Sequence, residues 1–438
     1  MTPAPPSPRD TLPREHPWRE WVASELHARP YGLVSIPAEI LHLAVLTDAA
    51  AVDDERARLQ ALCRQADVDS PAADAIHFVA PLREGRLTWE RHSEFSTYTL
   101  TRALAVGEPP RPPFAAASMS PPPSWLATLP GQTIAAARLV LLDSRSAQPD
   151  SAVLAEAFSG RAIVGGFVAG DRARLWTDFH LDGDGFMRLI VADAGLSPRQ
   201  AGRVVQRLLE IQSYCAMALL GLLAAREIGP AIGRIEQALG SATTDLPRLG
   251  SPEEDQALLR RLLALAAETE NLVARTSYRF GASRAYAALV ARRIEELRER
   301  RVEGQQTVDE FLERRFMPAM RTCKATQRRI EALSAHIARA SEMLRTRIDV
   351  TLESQNRDLL ASMNRRSHQQ LRLQMTVEGL SVAAITYYGA GLVSYAAGAL
   401  AALGLPIEKE MAAGLSVPVI AVLVFLGIYR LRRALGRE

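Results

Sequence analysis

Up to about residue 195, apolar and polar residues alternate in short runs with the two-residue period of half-buried β-strands. The runs that predict strands are EILHLAVLT, AIHFVAP, GRLTWERH, EFSTYTLTRAL, TIAAARLVLLD, AIVGGFVAG, DRARLWTDFHL and GFMRLIVAD, and DDERARLQALCRQA predicts a helix. Glycines at turn positions, as in Glu84 and Gly85 and in the DGDG of residues 182–185, favour joining by hairpins. We therefore expect an α/β or α+β cytoplasmic domain over residues 15–195.

From Ser197 onward the apolar positions follow a helical period, and the strand pattern disappears. The helices are expected to break at IGPAIG, at GSATTDLPRLGSPEED and at RRFMPAM, where proline or glycine interrupts the pattern. The apolar stretch SYCAMALLGLLAA has 13 residues, which is shorter than the roughly 20 that cross a bilayer. It predicts a buried core helix, within a helical region and stalk over residues 196–375.

Neither proline nor glycine occurs between Ala319 and Gly379, which predicts one long helix from Ala319 to Leu403. Apolar residues recur along it at spacings of three and four that then lengthen: Ile330, Leu333, Ile337, Ala340, Leu344, Ile348, Leu352, Leu359 and Met363. Such spacing is typical of a stalk with a coiled-coil seam that becomes straighter toward its end. A bent helical hairpin packed on its own domain is the alternative.

Two uncharged stretches, Gly379–Ile407 with 29 residues and Met411–Tyr429 with 19, are separated only by EKE. Each is long enough to cross a bilayer. They predict a transmembrane hairpin over residues 376–430, with spans at about 380–403 and 411–429 and a basic tail at 431–438. The flanking arginines lie on the side of the spans away from the connecting loop: Arg365, Arg366, Arg372, Arg430, Arg432, Arg433 and Arg437. We expect both termini in the cytoplasm and the protein in the inner cell membrane.

The composition agrees with a cytoplasmic body in front of the hairpin. The formal net charge is +3, and the arginines are interleaved with acids, so nucleic acid is not an expected partner. Three cysteines, Cys63, Cys215 and Cys323, are too scattered for a disulfide framework. Residues 1–14 are rich in proline and lack an apolar h-region, so they predict a disordered lead rather than a signal peptide.

The most chemical-looking residues are the alternating Glu90, His92 and Glu94. They would share one face of a strand, as metal ligands or an acid and base pair do. The other face would take Trp89, Arg91, Ser93 and Phe95. A solvated strand face with a charge-paired histidine is the alternative.

Two other motifs carry polar residues. In ELHARP, Glu25, His27 and Arg29 are candidates for binding phosphate or carboxylate, with a structural turn as the alternative. DFHLDGDG begins like a calcium loop but has Leu189 where the bidentate glutamate is required, so it predicts a hairpin turn. The sequence contains no P-loop, GxGxxG, nucleophile elbow or HExxH motif. An enzyme is therefore not the expected class, and no cofactor is expected.

Four stretches carry a family resemblance: ELHARP, LTWERHSEFSTYTL, FHLDGDGFMRLIVADAGLSPRQAGRVVQRLLEIQSY and LRLQMTVEGLSVAAITYY. They resemble the signature stretches of a bacterial family, domain of unknown function 3422 (DUF3422), and the resemblance covers nearly the whole chain. It implies a membrane-associated bacterial protein of about this length, and no activity.

The order of elements also resembles that of CorA-type magnesium channels, in which a cytoplasmic α/β domain precedes a stalk helix, two spans and a basic tail. In that family the first spans line the pore of a homopentamer, and a Gly-Met-Asn motif lies at its outer end. The corresponding residues here read GALAALGLP, so magnesium selectivity does not transfer.

The first span has two faces that bear on function. Small residues recur at spacing four, at Thr386, Ala390, Ser394 and Gly398, a stripe that allows close helix packing. Another face carries Tyr388, Gly391 and Tyr395, whose hydroxyls favour a helix or a water-filled lumen over lipid. We expect a sensing or scaffolding domain anchored at the membrane and self-associating through stalk and first span. The alternative is a CorA-like cation channel, for which a divalent cation would be the cargo.

Overall fold

The computed structural model describes residues 13–25, 31–104, 114, 123–143, 149–248, 250–402 and 408–435. The chain divides into two compact units. The first comprises Met1–Asp245 with Arg260–Arg339, and the second Leu246–Leu259 with Ala340–Glu438. An N-terminal α/β sheet region is followed by a region of long helices, as the sequence predicts.

The first unit is built on one eight-stranded sheet. Its strands are β1 Ala38–Leu46, β2 His77–Leu82, β3 Gly85–Arg91, β4 Phe95–Ala103, β5 Gln132–Asp143, β6 Phe167–Val168, β7 Ala173–Leu181 and β8 Met187–Asp193. Their order is β2-β3-β4-β1-β5-β8-β7-β6, and every neighbouring pair is antiparallel except β5 and β8. The alternating runs in the sequence therefore predicted the strands, but not their order.

The helices are α1 Arg19–Glu25, α2 Val52–Ala66, α3 Pro123–Leu126, α4 Ser151–Ala157, α5 Pro198–Asp245, α6 Pro252–Leu297, α7 Val308–Arg315, α8 Met317–Ala402 and α9 Lys409–Leu435. The expected break at IGPAIG is wrong, because α5 continues through Pro230. Ile228, Ile232 and Ile235 are buried on both sides of that proline. We attribute the continuity to this burial, which outweighs the one backbone hydrogen bond that proline removes.

Two apolar layers cover the sheet of the first unit. Helix α5 contributes Val205, Leu208 and Met217 to a core that includes strand residues such as Leu139 and Leu175. The predicted core helix SYCAMALLGLLAA is part of α5, and its buried residues confirm that prediction. On a different face, α2 packs Leu59 and Leu62 against strand residues that include Leu87, Trp89, Tyr98 and Leu100.

A buried carboxylate ties α2 to the sheet. Glu55 is fully buried, and its Oε1 accepts hydrogen bonds from Trp89 Nε1 at 2.8 Å and Tyr98 Oη at 2.5 Å. Its Oε2 forms an ion pair with Arg91 at 2.5 Å. Burial, with the neighbouring Glu55 charge, raises the pKa of Tyr98 well above its usual range, so the phenol stays a donor. Three donors thus satisfy the one buried charge.

Helix α8 is continuous over 86 residues, roughly 130 Å at the rise of an α-helix. It agrees with the predicted single helix from Ala319 and rejects the bent-hairpin alternative. The seam residues from Ile330 to Leu344 are buried, whereas Leu352, Leu359 and Met363 are exposed. In the second unit, Arg347 binds the Leu246 carbonyl at 2.7 Å and lies 3.4 Å from Asp255 Oδ2.

We expect Glu55→Gln to lower the free energy of unfolding by about 3 kcal/mol, because it removes a buried charge and leaves the Arg91 cation without its partner. The measurement is urea unfolding of the full chain, monitored by tryptophan fluorescence. Asp54→Asn is the matched control: Asp54 is exposed and pairs with Arg58 on the helix surface, so about 0.5 kcal/mol or less is expected. Equal losses in the two variants would contradict the role of Glu55.

Candidate functional site

A polar patch lies on the face of β3 and β4 opposite to the one that α2 covers. The two strands pair in antiparallel register, and the alternation of side chains puts matched residues on one face. The matched pairs on this face are Arg86 with Thr101, Thr88 with Thr99 and Glu90 with Thr97. His42 of β1 is paired with Thr99, and His77 of β2 with Glu90. One side of the sheet is thus apolar here and the other is rich in hydroxyl and charged groups.

This polar patch forms the floor of a cavity of about 150 Å³. Helix α5 supplies one wall, with Gly202, Val205, Gln206, Leu209, Glu210 and Ser213, and the segment before β1 supplies Tyr31, Gly32 and Val34. A Cβ at Gly202 would overlap the carbonyl oxygen of Gly32, so only glycine permits this close approach of α5 to the backbone. The cavity lies within the first unit.

His42 is held neutral at the bottom of the cavity. Its Nδ1 lies 2.8 Å from Thr99 Oγ1 and its Nε2 2.9 Å from Ser213 Oγ, so the ring links β1, β4 and α5. Burial, assisted by the nearby His92, lowers the pKa of His42 to about 3. The imidazole therefore positions two hydroxyls at neutral pH and does not contribute a positive charge.

Arg86 is the cation of the cavity. The residue is half-buried, its Nε is buried without a hydrogen-bond partner, and burial lowers the pKa of the guanidinium from its usual value. The guanidinium lies against the Cα of Gly32, where a Cβ would collide with it. In the described part of the chain, the side chain of Arg86 has neither a hydrogen bond nor an ion pair. The two carboxylates that line the same cavity are engaged elsewhere: Glu210 with Arg293 of α6, and Glu90 3.8 Å from His77.

The predicted cluster of Glu90, His92 and Glu94 is only partly brought together. Strand β3 ends at Arg91, and the His92 amide donates to the Phe95 carbonyl at 2.8 Å, which closes a turn. Glu90 and His92 line the cavity, but Glu94 forms an ion pair with Arg279 of α6. The expectation that all three share one strand face is therefore wrong for Glu94.

The same turn changes the side of the sheet on which Phe95 lies. Phe95 was expected opposite the cluster, but it lines the cavity and stacks on His92 at 4.3 Å between ring centroids. The turn at residues 92–94 interrupts the alternation, and a count along the sequence cannot register this.

The ELHARP candidates lie at the edge of the described structure. Glu25 ends α1, but its side chain, with His27 and Arg29, lies outside the described residues. The residues that follow, Tyr31 and Gly32, line the cavity.

The DGDG segment forms the predicted hairpin turn: the Asp182 Oδ1 atom accepts hydrogen bonds from the backbone amides of Asp184 at 3.0 Å and Phe186 at 2.9 Å. Among the described residues, no group of three or more His, Cys, Asp or Glu is placed to hold a metal ion.

A second cavity, of about 340 Å³, lies on the other side of α5 and is mainly apolar. Phe179 and Phe311 stack in its wall at 4.5 Å, and Gln212 donates to the Ala136 carbonyl at 2.7 Å. Burial raises the pKa of Cys215 in this wall to about 12, so its thiol is neutral and unreactive at neutral pH.

The residues singled out in the first predicted span fall on two faces of α8. Thr386 is 9% exposed, Ala390 and Ser394 are half-buried, and a Cβ at Gly398 would lie 3.8 Å from Lys409 Cδ. A Cβ at Gly389 would lie 3.1 Å from Ile420 Cγ2, so α8 and α9 approach closely. The small-residue stripe is therefore partly covered by the chain itself.

The tyrosine face of α8 is open. Tyr388 is 71% exposed and Tyr395 78% exposed, and a Cβ at Gly391 would meet none of the described residues within 4 Å. Any contact of α8 with another molecule is thus better placed on this face than on the small-residue stripe.

Sequence reasoning missed most of the residues that build the 150 Å³ cavity. Arg86, Thr88, Thr97, Thr99 and Thr101 alternate regularly within RLTWE and STYTLT, and that pattern was visible. The sequence does not give the order of the strands. It therefore does not show that the threonines of β3 and β4 share one face of the sheet, or that α5 and not solvent covers that face.

The neutral state of His42 predicts a pH dependence of stability. Its unfolded pKa is about 6.5, so between pH 6.5 and 3 the unfolded chain binds one more proton there than the folded chain. This contribution is complete above pH 6.5 and is lost as the pH falls, by about 1.4 kcal/mol per pH unit. Urea unfolding measures the free energy of unfolding at each pH. Between pH 6.5 and 5, we expect that free energy to fall less steeply in His42→Gln than in the parent chain, by about 1.4 kcal/mol per pH unit. The exposed His336→Gln is the control, and equal slopes in both variants would contradict the assignment.

One protein-family model matches nearly the whole chain. A family model described as Protein of unknown function (DUF3422) matches residues 14–435, nearly the whole chain. No curated protein matches the sequence significantly. The match spans the sheet, the cavity residues and both C-terminal helices, and so this chain belongs to the DUF3422 family.

Proposed function

We propose that this protein is a self-associating membrane protein whose cytoplasmic body has a sensing or scaffolding role. In this proposal the end of α8 and most of α9 form a transmembrane hairpin, and the sheet unit with its polar cavity lies in the cytoplasm. The observation that carries the proposal is the exposure of apolar side chains on these two helices. Leu380 and Leu415 are 74% and 75% exposed, and Leu392 and Leu423 are similarly open.

Three described helices are long and apolar enough to cross a membrane, and burial separates them. We compare the most apolar 18-residue stretch of each helix. The buried share of that stretch is 56% in α5, 11% in the helical segment that contains α8 and 0% in α9. Apolar side chains that the chain leaves in contact with water cost free energy, and a bilayer removes that cost. We therefore assign the spans to α8 and α9 and leave α5 in the body.

The position of arginine supports the orientation. Arginines precede the first span and follow the second, whereas the short connection between them has only Lys409 flanked by two glutamates. Cytoplasmic segments next to spans are enriched in arginine and lysine. Both ends of the hairpin, and with them the body, then lie in the cytoplasm.

Self-association through the first span is supported by its open tyrosine face. Tyrosine hydroxyls at the depth of the hydrocarbon are costly unless another helix or water receives them. The described residues leave Tyr388 and Tyr395 more than two-thirds exposed. A second copy supplies a partner of suitable chemistry, and Gly391 allows it to approach.

The same face supports the second candidate, a cation channel without a Gly-Met-Asn filter. Hydroxyls of Tyr388 and Tyr395 would line its lumen if several first spans surrounded one axis. The first span contains no ionisable acid or base between Gly379 and Ile407, which favours the anchor over the channel. We keep the anchored body as the main proposal for this reason.

Membrane insertion gives a direct test. An arginine at the centre of a span costs about 2.5 to 3.5 kcal/mol for insertion, so Leu392→Arg combined with Leu423→Arg is expected to abolish it. We expect the parent chain to stay in the membrane pellet after alkaline carbonate washing and the double variant to be lost from it. Leu360→Arg is the control, because Leu360 is exposed on the same helix before the span, and it should stay in the pellet. Release of the parent chain, or retention of the double variant, would contradict the proposal.

A further inference from the structure

The 150 Å³ cavity contains a positive charge that no acceptor in the described part of the chain pairs with. Arg86 lines the cavity, its Nε is buried, and no hydrogen bond or ion pair reaches it from the described part of the chain. A buried or half-buried charge is normally paired, because its removal from water costs free energy that an opposite charge or hydrogen bonds must offset. The Gly32 and Gly202 backbones meet beside it, and no side chain fits between them. The cavity is therefore lined by a cation for which the described part of the chain supplies no partner.

The neighbours of Arg86 are hydrogen-bond donors. Thr101 is paired directly across from it, and Thr88 lies two residues along the same strand face. Within the described residues, neither hydroxyl makes a hydrogen bond. His42 fixes the next hydroxyl, that of Thr99, at 2.8 Å. A guanidinium flanked by free hydroxyls matches the planar, two-oxygen geometry of a carboxylate.

The negative groups in the cavity limit the charge of the ligand. Glu90 and Glu210 also line the cavity, and although each has a cationic or histidine neighbour, a doubly charged anion would be repelled by both. One guanidinium balances one negative charge. The ligand that fits is a monoanion.

The remaining lining and the volume set the size of the ligand. Val79, Val205, Leu209, Phe95 and Tyr214 provide an apolar side to the cavity. A cavity of about 150 Å³ holds an organic molecule of the size of benzene. We infer that this cavity binds a small organic carboxylate, with its charge on Arg86 and its oxygens on the Thr88 and Thr101 hydroxyls. That this ligand is the one sensed rests on the proposed function. Binding itself requires no membrane.

The test uses the full chain in nanodiscs and measures binding by isothermal titration and by the ligand-dependent rise in unfolding temperature. The probes are butyrate, its neutral isostere butyramide, inorganic phosphate and chloride. We expect butyrate to bind and the other three to bind at least about tenfold more weakly. Butyramide equal to butyrate would overturn the role of charge. Tighter binding of phosphate or chloride, or no binding of butyrate, would overturn the carboxylate class.

The variants identify the site. Arg86→Gln should weaken butyrate binding about ten- to hundredfold, the range expected for a hydrogen-bonded ion pair. Thr101→Val, which keeps the shape of a strand residue, should weaken it about threefold or more and provides a second readout if Arg86→Gln does not fold. Arg83→Gln is the matched control, because Arg83 is exposed in the turn between β2 and β3, and it should bind as the parent does. Unchanged affinity in Arg86→Gln or Thr101→Val would overturn the assignment.

The two proposals fail separately in these experiments. If the parent chain stays in the carbonate-washed membrane but does not bind butyrate, the carboxylate site alone is overturned. If the parent chain is released by the wash and still binds butyrate, the anchored function alone is overturned.

Discussion

The antiparallel register of β3 and β4 is the constraint on which the rest of the first unit depends. Because side chains alternate across a sheet, this register sends Leu87, Trp89 and Tyr98 toward α2 and sends Arg86 and four threonines toward α5. A slip of one residue would exchange the two sets and would bury the polar one under α2. The cavity and the core on the opposite face are thus consequences of one pairing.

Two charged side chains on opposite faces of these strands differ in their partners. Glu55 is surrounded by three donors of its own chain, so it stabilises the contact of α2 with the sheet. Arg86, on the other face, has a buried Nε without an acceptor. The first arrangement is complete without a ligand, whereas the second lacks an acceptor among the described residues. This contrast distinguishes a structural polar cluster from a binding site in the same sheet.

The sequence predicted what depends on local periodicity and little of what depends on pairing. The alternating runs located the strands, and the absence of proline and glycine located α8, because both signals act within one element. Pro230 was misjudged because burial on both sides of it comes from distant segments, and Glu94 because a turn at His92 interrupts the alternation. Arg86 was overlooked because its lack of a partner among the described residues depends on contacts between distant segments, which a single sequence does not show.

The central claim is that the C-terminal helices hold the chain in a membrane and join it to further copies through the tyrosine face of α8. The most direct measurement is the number of copies per nanodisc by native mass spectrometry. We predict at least two copies for the parent chain and one for Gly391→Leu. A Cβ at Gly391 meets no described residue within 4 Å, so the leucine would block a second copy without a clash in its own helix. Gly414→Leu, equally open on α9, should leave the number unchanged. A parent chain with one copy per disc, or one that does not enter the discs, would contradict the account.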